Sequence, residues 1–404
     1  MIKVLYYVPY IDRNYGGIYQ YTVTLLKILA EKLQGKCIFY VYSLQENEDY
    51  NQINKEYNNL VLLSELIVES KELIKKRKNI EFKNKFFRRL SHQNVLEVPL
   101  PNIPLDFFLN KEKIDIVHCP YTYLPKNSLN IPTLTTMHDV QELHFPQFFN
   151  SEQRASRAVN NKNFIDNATH VIVSYEHIKK DIIKFFDKPN DEVHVCLLEM
   201  NELWFSKYQN EDNRDKRKKV EYDNYILCPA ATWEHKNHIK LLDAIHYLRE
   251  KLDYKINLIC TGSKNSYYDN VIEPYIEKLN LKEQVNFLGV VDDELLFNLY
   301  QNTKAVVIPT LYEAGSFPLM ESILMNVPVI CSNTTSLPDT IKNEKFIFNP
   351  YDKKDIAQKI KSITSEEQFI AENIQNSIKV SKYIQNTGVA DKIYSVYTSC
   401  LQQK

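Results

Sequence analysis

Glycine is scarce in this 404-residue chain, with seven in all, and none falls in a G-x-G-x-x-G run, so the dinucleotide fingerprint of nicotinamide enzymes is absent. The shortage accompanies an excess of Tyr, Lys, Asn and Ile and carries no functional weight. The seven cysteines form no C-x-x-C pair and have no His–Cys ligand spacing. That excludes a disulfide framework and points to reduced thiols in a cytosol. No apolar run approaches the ~18 residues of a membrane span. Met1 to Val8 reads as a buried strand running into a Gly turn, not as a signal peptide. The net charge of −1 gives no global field for nucleic acid. What remains is an ordinary globular composition, long enough for two domains.

The most informative stretch runs from Val306 to Pro338. Val306 to Pro309 reads as a short buried strand and Thr310 to Ser316 as a loop. Pro318 sits where its fixed φ and missing N–H suit a first helical turn. The helix is expected to reach about Asn326 and a second apolar strand to span Val327 to Cys331, giving a strand–loop–helix–strand unit of a parallel sheet. Two carboxylates lie in it, Glu313 in the loop and Glu321 one turn into the helix, with seven residues between them. Ala314, Gly315, Ser316 and Phe317 occupy the helix start, where unpaired N–H groups and the positive dipole end suit a phosphate. Gly315 lets backbone approach a ligand closely. Many α/β proteins carry such a unit for structural reasons, and spacing alone does not separate the two readings.

The residues between and after the acids go further. Glu313-Ala-Gly-Ser-Phe-Pro-Leu-Met-Glu321-Ser, then Asn326-Val-Pro-Val-Ile, then Thr335-Ser-Leu-Pro-Asp339, resembles the Glu-x7-Glu region of the family-four glycosyltransferases. The pattern there is roughly E-G-F-G-L-P-x-x-E-A, G-x-P-V-I and S-S-L-P-E. The resemblance implies a retaining enzyme of α/β, GT-B fold: two Rossmann-like parallel-sheet domains facing a cleft, with a C-terminal helix crossing back to the N-terminal domain. The expected division is residues 1–205 as the acceptor-side domain, the charged stretch 206–223 as linker, 224–380 as the nucleotide-sugar domain, and 381–404 as the returning tail.

In the first half, Ile2 to Pro9 reads as a strand and Ile18 onward as a helix with Thr22, Leu25, Leu26, Leu29 and Leu33 at helical spacing. Gly16-Gly17 between them is either a phosphate loop or a tight turn; in the resembling family this loop faces the donor diphosphate. Ile131 to Asp139 is a strand ending in His138-Asp139, at the edge where open α/β sheets place ligands. The pair resembles the family's H-D motif, whose His reaches the transferred sugar. Ser174 is a plausible N-cap for a helix beginning at Tyr175. Lys71 to Arg89 is basic and studded with aromatics, which suits either a solvated face or an anionic membrane surface.

In the second half, Tyr225 to Ala230 reads as a strand, and PAATWEHKNH resembles the family's second phosphate motif. Lys236 matches its Lys. The usual Arg, five positions earlier, falls on Ala231, so a charge is missing from the phosphate site. The strand Ile256–Cys260 ends at Gly262-Ser263, and Val285–Gly289 ends at Val290; the resemblance gives these edges to the nucleotide base and ribose. Asp292 is expected to cap the helix that follows. The D-x-D arrangement of metal-dependent glycosyltransferases is not visible, so neither a metal nor another cofactor is expected.

The expected function is transfer of a hexose from a sugar nucleotide, GDP-mannose first, to a hydroxyl of a glycan or lipid-linked acceptor in surface polysaccharide synthesis. Glu321 would take the ribose hydroxyls. Glu313 and the backbone of Ala314 to Phe317 would take the sugar, and Lys236 with Gly16 and Gly17 the diphosphate; His138, Glu313 and Lys236 are the candidate catalytic residues. The expected place is the cytoplasm, peripheral to the inner membrane face. The alternatives are a GT-B sugar-nucleotide hydrolase or epimerase, and a catalytically silent relative acting as a scaffold, which Ala231 and Ala314 favour.

Overall fold

The computed structural model describes residues 1–9, 11, 17–43, 47–63, 75, 79–80, 105–125, 129–200, 204–208 and 222–402. Gly16, the basic stretch 71–89 apart from residues 75, 79 and 80, and most of the charged stretch 206–223 lie outside them. The chain divides into two compact units. One comprises Met1–His138, Ala155–Leu198 and Gly388–Lys404, the other Asp139–Arg154 and Glu199–Thr387.

The first unit is built on strands β1 Ile2–Tyr7, β2 Cys37–Tyr42, β3 Leu60–Leu62, β4 Ile116–Cys119, β5 Thr133–Thr136, β6 His170–Val173 and β7 Val193–Val195, in the order β3-β2-β1-β4-β5-β6-β7. Every pairing is parallel. Strands buried on both faces read as apolar runs and need helical crossovers, which explains IKVLYY and CIFYVY. The helix Gly17–Lys32 follows β1 and buries Leu25, Leu26 and Leu29. The helix Val389–Gln402 completes the same core with Val389, Ile393, Val396 and Tyr397. Tyr397 reaches into the sheet, its hydroxyl 2.7 Å from His118 Nδ1 on β4, and burial holds His118 neutral, its pKa down to about 3. The helix after β6 begins at Glu176, one residue later than expected, and its N-cap position is Tyr175; Ser174 does not cap it.

The second unit has strands β8 Tyr225–Pro229, β9 Asn257–Thr261, β10 Val285–Phe287, β11 Ala305–Ile308, β12 Val329–Ser332 and β13 Ile347–Phe348, ordered β10-β9-β8-β11-β12-β13 and all parallel. β12 starts two residues later than expected. Asn326 turns through a left-handed conformation at φ 55°, and Pro328 has no N–H to give a ladder. Asp292 caps the helix Asp293–Asn302 by accepting from Leu295 N at 2.8 Å. Asp139–Arg154 pack within this unit: Val140 N–H donates to the Tyr312 hydroxyl at 3.3 Å, and the Phe148 ring lies 6.4 Å from His235.

In each sheet the order reverses once, at β1/β4 and at β8/β11. At such a point the loops leaving the carboxyl ends run in opposite directions and open a crevice. Among the described residues, no helix is long and apolar enough to cross a membrane.

Candidate active site

The reversal in the second sheet brings together residues far apart in sequence. The loop after β8 carries Lys236 and the loop after β11 carries Glu313. Their Nζ and Oε1 lie 2.5 Å apart, with side chains 21% and 12% exposed. The pair is half-sheltered at the carboxyl edge of the sheet, where a charged ligand can still reach it.

The two loops are cross-tied by backbone carbonyls. His235 O accepts from Leu311 N at 2.7 Å and from the Thr310 hydroxyl at 3.0 Å. Asn237 adopts φ 60°, which Asn tolerates better than most residues. Its side-chain amide donates to both Pro309 O and Pro350 O, each at 2.9 Å. The Lys-Asn of the sequence thus divides its labour: the lysine faces the site and the asparagine fixes the loop that carries it. His235 supplies no charge in place of the missing Arg, because burial, aided by Lys236, pulls its pKa down to about 3 against the opposing pull of Asp139.

Glu313 is held from behind. Its N–H donates to the Thr335 hydroxyl at 2.9 Å, and its carbonyl accepts from the Ser336 hydroxyl at 3.0 Å. Thr335 itself sits at φ 49°, an uncommon place for a β-branched residue and one associated with strain at working sites. The helix that follows spans Phe317–Leu324, with Pro318 in its first turn and the Ser316 side chain accepting from Leu319 N. The Ser316 hydroxyl oxygen thus serves the cap as acceptor. Among the described residues, none accepts from the backbone N–H of Ala314, Gly315, Ser316 or Phe317, so the anion-binding character expected of this turn is intact.

Glu321 lies one turn in and is buried, 9% exposed. Trp204 Nε1 donates to one carboxylate oxygen at 2.7 Å and the Tyr300 hydroxyl to the other at 2.9 Å. Burial raises its pKa, and the bonds from Trp204 and Tyr300 work against that rise. Neither partner is legible in the sequence. Tyr300 reads as one apolar position of the helix Asp293–Asn302, and Trp204 stands 117 residues before Glu321, outside any motif.

The loop after β9 packs directly on the loop after β8. Gly262 has φ +115°, and a Cβ there would meet Ala231 N at 2.6 Å and Ala230 C at 2.7 Å. Ser263 O accepts from Thr232 N at 3.0 Å. Val290, past β10, is 79% exposed. In the first unit, Gly17 opens its helix, and His138 Nε2 lies 3.2 Å from Pro120 O, at the end of β4, with the Tyr21 ring edge-on at 4.8 Å.

Comparison with known proteins bears on the family and the fold. A family model described as glycosyl transferases group 1 matches residues 209–380, and one described as glycosyltransferase family 4 matches residues 70–196. The chain is 26% identical over 238 residues to the O-antigen chain mannosyltransferase B of Escherichia coli, covering 59% of this chain and 62% of that protein. It is 26% identical over 231 residues to the O-antigen chain mannosyltransferase RfbU of Salmonella typhimurium, covering 56% and 60%. The matches thus span about three fifths of those relatives. A crystal structure of a glycosyltransferase from Rickettsia africae aligns over 100% of this chain and 99% of its own, with a TM-score of 0.66 at 18% identity. At that identity the likeness speaks for the fold.

Proposed function

Because the chain belongs to the family-four glycosyltransferases of GT-B fold, we propose that it is a retaining hexosyltransferase that uses a sugar nucleotide, with GDP-mannose the favoured donor. Its acceptor is a hydroxyl of a glycan or lipid-linked intermediate in surface polysaccharide synthesis. The observation that carries the reading is the Lys236–Glu313 pair at the β8/β11 reversal, beside a helix start with unpaired N–H groups. The mannose preference rests on the O-antigen mannosyltransferases it resembles.

In this reading the N–H groups of Ala314 to Phe317 and Glu313 bind the sugar hydroxyls. Glu321, already oriented by Trp204 and Tyr300, accepts from the ribose. Lys236 stabilises the charge that grows on the diphosphate as it leaves. The bond from sugar C1 to the phosphate oxygen breaks and a bond from C1 to the acceptor oxygen forms on the same face. The acceptor proton passes to a phosphate oxygen of the leaving group, so no metal is required. His138, Gly16 and Gly17 keep the roles that the resemblance gives them, toward the sugar and the diphosphate. Gly262, Ser263 and Val290 keep theirs toward the nucleoside. The protein works in the cytoplasm, with Lys71 to Arg89 lying against an anionic membrane; salt-sensitive sedimentation with anionic liposomes is the expected result.

A thermal-shift screen against GDP, UDP, dTDP and their sugar conjugates tests the donor. A ligand at a hundred times its Kd adds about 2.7 kcal/mol, so the true nucleotide stands out. With that donor, E313A and E321A are expected to abolish transfer, and added Mg2+ to leave the rate of the desalted protein unchanged. Flat responses across the panel would instead favour the scaffold reading that Ala231 suggests.

A further inference from the structure

Three side chains unused by the transfer chemistry meet inside the second unit. Cys228 on β8 and Cys260 on β9 are register partners on adjacent parallel strands, so they leave the sheet on the same face. His238 is the first residue of the helix His238–Leu252 that follows β8. The two Sγ atoms and an imidazole nitrogen all lie within 4.8 Å of one another. His238 is 1% exposed, as are both cysteines, and among the described residues its ring nitrogens meet no oxygen or nitrogen partner, only the Cys228 sulfur. The Phe287 ring lies 5.4 Å away and offers no acceptor. A thiol is a weak hydrogen-bonding partner, so a buried imidazole set beside two of them is poorly satisfied and marks a missing partner.

We propose that Cys228, His238 and Cys260 hold a thiophilic d10 divalent cation of the Zn2+ class, which ties β8, β9 and the start of the intervening helix together. Two thiolates and an imidazole are the donor set such a cation selects, whereas Mg2+ and Ca2+ seek oxygen. Ligand bonds of about 2.0–2.3 Å place donors roughly 3.5–3.8 Å apart around a tetrahedral centre. The widest pair therefore closes by about 1 Å, within reach of side-chain rotation. Three protein ligands leave the fourth place to a water. A cation would ionise both thiols. The ligands are spaced by 10 and 22 residues, which is why no short motif announces them. The loops that leave β8 and β9, carrying Lys236 and Gly262, are anchored immediately beyond this cluster. The inference does not rest on the transfer reading and places no cation at the diphosphate.

The test is metal content of the whole protein expressed in zinc-supplemented medium and purified under reductant without chelator. The expected result is about one zinc per chain in the parent and in C331S, a buried cysteine of β12 outside the cluster, falling below about a tenth in C228S and C260S. Growth with Co2+ should give the parent an intense thiolate-to-cobalt charge-transfer band, which decides the matter even if the serine variants do not fold. Parent protein with neither zinc nor the cobalt band overturns the proposal. So does a peptide map of the alkylated, unreduced protein in which Cys228 and Cys260 are recovered joined as a disulfide.

Discussion

Replacing Tyr300 by Phe removes one hydroxyl and leaves the ring, fully buried, in place. What is lost is the 2.9 Å bond to Glu321 Oε2, a bond to an ionisable group, worth about 1.5–3 kcal/mol. For a unit of this size that lowers Tm by roughly 3–12 °C at neutral pH. The pH dependence separates this cause from simple packing. Burial raises the Glu321 pKa above its unfolded value, and Tyr300 opposes the rise, so Y300F raises it further. A raised carboxyl contributes stability that is fully present below the unfolded pKa of about 4.3 and lost as pH climbs through the folded pKa. The variant loses more, over a wider span, so the gap between the two proteins opens above pH about 4.3 and is largest at neutral pH. Thermal denaturation of both proteins at pH 5 and pH 7.5 is the assay. Equal melting temperatures at pH 7.5 would refute the buried bond. A gap that stays constant between the two pH values would refute its ionic character.

Two further substitutions probe the loops. G262A must accommodate a Cβ 2.6 Å from Ala231 N at φ +115°; conformational strain of about 1–3 kcal/mol plus a backbone clash should lower Tm by several degrees and abolish the nucleotide-induced shift, and a melting temperature within a degree of the parent would count against it. N237G keeps the left-handed φ but loses both amide bonds to Pro309 O and Pro350 O, so urea denaturation should report a loss of about 1–3 kcal/mol.

The legible parts of the sequence were those governed by local rules. Apolar runs marked most strands to within two or three residues but missed the short β3 and β13, and Pro318 and Asp292 marked helix starts because capping is decided within four residues. The Ser174 cap failed because the helix entered one residue later. The meeting of Lys236 with Glu313 required the order of strands, and Glu321's partners Trp204 and Tyr300 arrive from 117 and 21 residues away. The Cys228–His238–Cys260 cluster is of the same kind: register across two strands, not spacing along one, brings it together. Thr335 lay inside the quoted pattern, but its left-handed backbone is invisible to composition.

The helix Val389–Gln402, lodged in the core of the first unit, bears on how the protein is made. On the ribosome, the strands of the first sheet emerge early, yet the face that receives Val389, Ile393 and Tyr397 stays uncovered until residues 199–387 have also been synthesised. The first unit to begin folding is thus the last to finish, and His118 waits beside an apolar gap for the hydroxyl of Tyr397. A premature stop at Gly388 would leave the second sheet whole and damage the first. During synthesis, an apolar surface of the half made first stays open until residues 389–400 emerge.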